Sequence, residues 1–240
     1  THGKVEQADQ VMSALEARVA VESGAPLPAP GVPEAPPERG NFGEIFQSQY
    51  VSRTIMLIVF NIFQTVGFYG FSNWVPSLLI ANHIEVTRSL LYTFVIALAA
   101  PIGPLLGMAI ADRIERKFAI VAAAGAVAVS GLLFSQSVLP AVLIALGICL
   151  TLANNIMSYS FHAYQAELYP TRIRAVAVGF VYSFSRISVV VSAFVIEGLL
   201  SWFGTIGVFT FIAGSMGVVM LVIGLMGPRT NALSLEQISH

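Results

Sequence analysis

The chain has 240 residues, of which 56% are apolar and only 10% charged, with a net charge of −1 and a mean hydropathy of +0.78. Soluble domains carry about a quarter charged residues, so a water-soluble globular fold is excluded and an integral membrane protein is expected. The single Cys149 leaves no intrachain disulfide and no cysteine-based metal site, and reads as a small apolar filler within a helix.

The chain starts Thr1-His2-Gly3-Lys4, without Met or signal peptide, which points to a fragment or a half of a protein that begins upstream. Val5, Ala8, Met12, Leu15 and Val19 recur at helical spacing with Glu6, Asp9, Glu16 and Arg18 on other faces, predicting a short surface helix outside the membrane. Gly24 to Gly40 then holds six of the twelve prolines and reads as a stiff, extended linker.

From Phe42 the chain is hydrophobic in six long blocks, roughly Thr54–Ile80, Leu90–Ala111, Phe118–Gln136, Ala141–Tyr164, Ala175–Leu200 and Thr205–Met226. Each is near the ~20 residues that cross a bilayer as a helix. They are too long and too uniformly apolar for barrel strands, so an all-α bundle is expected, since helices satisfy their own backbone in lipid.

Lys and Arg set the orientation. Arg39 and Arg53, Arg113, Arg116 and Lys117, Arg172 and Arg174, and Arg229 fall on one side; Arg88, beside His83 and Glu85, falls on the other. The basic side is expected to be cytoplasmic, with both termini there.

Charges and amides inside the blocks are the informative residues. Arg186 lies within Ala175–Leu200, where a charge costs several kcal/mol unless it faces protein or water. Counted at 1.5 Å per residue from the basic end, Arg186 and Asn155 lie about 18 Å deep, and Gln64 and Pro101 about 16 Å. Four blocks thus place a polar group or a helix breaker at one level, where secondary transporters hold their solutes.

Arg186 reads as a ligand for an anionic solute, or as a clamp on the carbonyl end of a broken helix. Asn155, beside Asn154 and with Tyr159 one turn on, reads as site lining or as interhelical hydrogen-bond glue. Gln64 keeps company with Tyr69, Asn73 and Trp74 before a break at Pro76; Trp74 also suits an interfacial anchor. Pro101 and Pro104, with Gly103 and Gly107, predict a kink in the second span. His162 reads as a packing or hydrogen-bonding histidine rather than a proton relay. Glu197 sits at the outer end of its block, and no Asp or Glu lies near mid-depth. A proton-coupling carboxylate is therefore expected elsewhere.

Two charged loops carry a resemblance. Ala111-Asp112-Arg113-Ile114-Glu115-Arg116-Lys117 resembles the loop signature D-R-x-G-R-[RK] of the major facilitator superfamily. Glu167-Leu168-Tyr169-Pro170-Thr171-Arg172-Ile173-Arg174 is similar to the E-x-x-P-x-x-x-R element of its sugar-porter-like branch, and Gln64-Thr65-Val66-Gly67 to that branch's Q-x-x-G. Glu115 stands where the family has Gly, Met108 where an opening Gly would fall, and Tyr69 where sugar carriers often have Asn.

The resemblance implies the C-terminal six-helix half of a twelve-helix metabolite carrier, closest to organic-acid:proton symporters of the inner membrane. Residues 1–23 would then be a cytoplasmic helix ending the central loop, 24–52 the linker and membrane approach, 53–228 the bundle and 229–240 a cytoplasmic tail. It also implies a cytoplasmic gate of ion pairs among Asp112, Arg113, Arg116, Glu167 and Arg174.

Gln64, Tyr69, Asn73, Asn155, Tyr159 and Arg186 are the expected solute-binding residues, and a carboxylate or aromatic acid the expected solute. A sugar or polyol carrier of the same superfamily is the alternative, as is a non-transporting receptor or assembly partner. Expected partners are the bilayer, the solute, and an N-terminal six-helix half or a second copy. No metalloprotease spacing, nucleophile elbow or phosphate loop appears, so neither enzymatic activity nor a cofactor is expected. Nor is a nucleic-acid partner, since no basic patch exists beyond the topology charges.

Overall fold

A computed structural model describes residues 5–23, 40–82, 84–111 and 113–230. The proline-rich linker, His83, Asp112 and the tail from residue 231 lie outside the described residues. Two compact units are distinguished, residues 1–38 and 39–240. The first holds helix α1 (Val5–Ser23), with Val11, Met12, Leu15 and Val19 exposed and an Arg18–Glu22 pair one turn apart at 3.1 Å.

The regular elements among the second unit's described residues are all helices, a 3-10 turn at Phe42–Phe46 followed by α2 (Ser48–Ser72), α3 (Val75–Ala81), α4 (Val86–Ala97), α5 (Ile102–Ala111), α6 (Arg116–Gln136), α7 (Pro140–Glu167) and α8 (Thr171–Met226). Among the described residues, five stretches are long and apolar enough to cross a membrane, α4 and α5 counting as one.

The interruptions follow local chemistry. The first expected span divides at Asn73–Trp74, and Pro76 enters the first turn of α3, where its missing N–H costs nothing. The second divides at Leu98–Pro101. There Ala99, Ala100 and Ile102 donate to carbonyls three residues back, because proline cannot continue the ladder.

The last two expected spans form one 56-residue helix with a single break. Unbroken it would extend about 84 Å, far beyond the ~30 Å of hydrocarbon. The break is Gly204, at φ 63° and ψ −160°, a conformation essentially confined to glycine. A Cβ there would meet nothing within 4 Å, so the backbone rather than space demands the glycine.

Lipid tails are as apolar as leucine, so close packing and interhelical hydrogen bonds hold such a bundle together. The first arm of α8 buries Ile173, Ala177, Val181, Ser185, Ser188, Ser192 and Ile196 along one stripe. Its small members let α2 approach, and the Ser188 hydroxyl donates to the Ile62 carbonyl at 2.6 Å. Phe60 of α2 stacks on Phe161 of α7 at 3.7 Å, and Phe71, Phe134 and Phe209 cluster between α2, α6 and the second arm of α8.

Helix α5 meets α7 through glycines. A Cβ on Gly103 would lie 2.4 Å from the Asn155 Cβ, and one on Gly107 2.8 Å from the Tyr159 ring.

Candidate functional site

A cavity of about 90 Å³ opens between α2, α7 and the first arm of α8. From α2 it receives Asn61, Gln64, Thr65, Phe68 and Tyr69; from α7, Ser158, Phe161 and His162; from α8, Tyr182, Ser185 and Arg186. Three of the six expected ligands, Gln64, Tyr69 and Arg186, therefore meet in one place.

The Arg186 guanidinium is exposed on this chain. It donates to the Tyr69 hydroxyl at 3.4 Å and to the Tyr182 hydroxyl. Its central carbon stands 4.7 Å from the Tyr182 ring centroid and 6.0 Å from that of Tyr69, so both rings also hold the cation by their faces. No carboxylate pairs with Arg186 among the described residues. The phenols fix the fork's direction without neutralising it, which leaves a positioned cation for an anion.

The other three expected ligands lie elsewhere. Asn155 donates to the Thr151 carbonyl of its own helix at 2.9 Å and packs against Gly103 of α5, while Tyr159 packs against Gly107. Both occupy the α5 side of α7, outside the cavity. The neighbouring Asn154 faces α2, reaching the Gly67 carbonyl at 3.5 Å, and is buried. Adjacent residues on a helix point about 100° apart, so the asparagine pair divides between two interfaces. Asn73 is exposed as the C-cap of α2, one turn beyond Tyr69.

Sequence reasoning missed Tyr182, Asn61, Ser158 and Ser185. Tyr182 carried a usable signal, since a residue four before Arg186 lies under its side chain. His162, read as a hydrogen-bonding histidine, does take a bond from Gln165 at 3.0 Å, but it also faces the cavity.

The basic end of the bundle is a network of a different kind. Arg116 at the start of α6 pairs with Glu167 at the end of α7. Asp112 lies outside the described residues, and Arg113 is exposed. Arg174 does not reach Glu167: its Nε donates to the Tyr169 carbonyl at 3.2 Å, closing the turn at the foot of α8. Arg53 donates to the Leu168 carbonyl at 3.1 Å, and Arg172 pairs at 2.9 Å with Glu44, itself part of a capping box with Asn41.

The Thr54 hydroxyl meets the Tyr169 hydroxyl at 2.8 Å. Burial raises the Tyr169 phenol above its ordinary value, partly opposed by the Thr54 bond and the Arg53 charge. After α8, residues 227–230 run back over the bundle. Lys117 donates to the Gly227 carbonyl at 2.7 Å, Tyr164 to the Pro228 carbonyl at 2.8 Å, and the Thr230 N–H to Glu115 at 2.7 Å.

Residues 57–239 match the profile described as Major Facilitator Superfamily. The Bacillus subtilis protein YyaJ, whose name assigns it provisionally to metabolite transport, is 33% identical over 233 residues, covering 96% of this chain and 51% of that relative. The Niacin transporter NiaP of Acinetobacter baylyi is 24% identical over 98% of this chain and 54% of its own length. The Benzoate transport protein of the same organism is 30% identical over 65% of this chain and 34% of its own. The chain spans about half the length of the curated relatives it matches.

Proposed function

This chain belongs to the major facilitator superfamily, and from that premise we propose that it forms half of a secondary transporter for a small organic acid. The carrier works by alternating access in the inner membrane, with the basic loops cytoplasmic. Arg186 pairs with the solute's carboxylate, Tyr69 and Tyr182 hold the guanidinium and pack on the solute, and Gln64 hydrogen-bonds its polar substituents. The partner is an N-terminal six-helix half or a second copy, which supplies the facing wall of the site and the acid that couples transport to proton entry.

The observation that carries this reading is the orientation of Arg186: a cation at membrane depth, tethered to two phenols, exposed toward the cavity and without a carboxylate partner among the described residues. A neutral sugar gives such a group nothing to neutralise. Names of two relatives, a niacin transporter and a benzoate transport protein, support an acid as the solute.

The test is uptake of labelled nicotinate, benzoate and a hexose by proteoliposomes holding the assembled carrier, with an inward proton gradient. Acid uptake that a protonophore abolishes and that Arg186→Gln lowers about 100-fold is the expected result. Hexose uptake in the absence of acid uptake would overturn the reading, as would an unaffected Arg186→Gln variant.

A further inference from the structure

The wall of the cavity facing Arg186 contains a histidine whose proton is placed by its neighbour. Gln165 of α7 is 2% exposed, and its Nε2 lies 3.0 Å from His162 Nδ1. An amide nitrogen is only a donor, so Nδ1 accepts and a neutral imidazole carries its hydrogen on Nε2. The Gln165 Oε1 is buried without a partner among the described residues. With the amide nitrogen placed against Nδ1, the Nε2–H of this exposed residue is a donor with no partner among the described residues.

This donor belongs to the same small space as the cation. The His162 ring centroid is 5.6 Å from that of Tyr182, over which Arg186 stacks at 4.7 Å. A single aromatic ring thus lies between a fixed positive group and a fixed neutral N–H. Gln64 and Ser158 add to the polar lining, and Phe68 and Phe161 supply apolar walls.

We infer that His162, held in its Nε2–H form by Gln165, is a specificity-determining residue that selects planar carboxylates bearing a hydrogen-bond acceptor on the ring, such as a pyridine carboxylate in place of a benzoate. The inference rests on the organic-acid reading above. Arg186 binds every carboxylate alike, whereas a donor with no acceptor opposite it is left desolvated and penalises the plain ring. Gln165 is a positioning residue, acting only through the tautomer of His162.

The probes are nicotinate and benzoate, which differ by one ring nitrogen against one C–H. Dissociation constants for both are measured on the assembled carrier in nanodiscs, and their ratio is the readout, because loosened packing weakens both acids together. The wild-type carrier is expected to bind nicotinate about tenfold more tightly. In His162→Phe the ratio falls to about one. In Gln165→Leu, where the imidazole is free to exchange tautomers, it falls part of the way, to about threefold. A wild-type ratio near one, or an unchanged ratio in His162→Phe, would overturn the inference while leaving an acid carrier in place. Binding of neither acid, with a hexose bound instead, would overturn the organic-acid reading and this inference with it.

Discussion

The arginines at the basic end and the arginine in the cavity obey opposite rules. At the loops five cations are consumed by the chain itself: Arg53 and Arg174 by backbone carbonyls, Lys117 by the Gly227 carbonyl, Arg116 and Arg172 by Glu167 and Glu44. Those contacts close helix ends, where the final carbonyls lack partners. Arg186 lies on a continuous helical arm, where every nearby carbonyl already has its own N–H, and its hydrogen-bond partners among the described residues are two phenols. The difference separates charge that fixes topology from charge that remains available to a ligand.

Substitution at Arg186 gives the sharpest division between those roles and the largest effect. Arg186→Gln is expected to reduce solute affinity about 100-fold while leaving the melting temperature of the assembled carrier nearly unchanged, because the side chain is exposed on this half. Arg186→Lys keeps the charge but loses the planar fork, and is expected to retain about a tenth of the affinity. A loop arginine behaves in reverse: Arg174→Gln leaves solute affinity intact and lowers the melting temperature. Equal losses of stability from both sites would remove the distinction.

Next in size are changes that alter the helices holding the cavity. Gly204→Ala forces an L-residue into φ 63° and ψ −160°, a strain of about 1–3 kcal/mol, seen as a lower melting temperature and poorer membrane yield. Gly103→Leu pushes α5 away from Asn155 by overpacking, at about 1–3 kcal/mol. That substitution tests the α5–α7 contact directly. Because Asn155 and Tyr159 lie on this side of α7, solute affinity should change far less than in Arg186→Gln.

Six apolar blocks were legible because lipid leaves the backbone one economical answer, and Pro76 and Pro101 mark their breaks through a missing N–H. The turn at Gly204 was legible as a boundary between blocks, though not as a single glycine inside one long helix. For the site, depth was readable and azimuth was not. Counting residues from Arg53, Glu167 or Arg174 places Gln64, Asn155 and Arg186 at one level, yet level says nothing about which neighbour a helix face meets. The cavity gathers Ser158, His162 and Tyr182, one to two turns nearer the basic end than Asn155 and Arg186. Only helix packing decides that these, rather than Asn155, share its wall.

Within the basic end the same comparison reaches a finer scale, between pairs that link helices and those that fasten the tail. Arg116 and Glu167 are each about one-fifth exposed, 21% and 20%, and a double-mutant cycle on melting should give a coupling of about 1 kcal/mol.

Glu115 tests the link that fastens the tail. It stands where the superfamily loop has glycine, and its Oε1 accepts the Thr230 N–H at 2.7 Å, fastening residues 227–230 to the start of α6. Glu115→Gly should leave solute affinity unchanged and cost α6 little, since glycine is an acceptable N-cap. Its expected signature in the tail is faster exchange: the amide of a peptide containing Thr230 should exchange about tenfold faster, the loss of one charge-assisted hydrogen bond. Glu115→Gln, which keeps an acceptor, should restore most of the protection. Unchanged exchange in Glu115→Gly would mean that Lys117 and Tyr164 hold this strap alone, through the Gly227 and Pro228 carbonyls.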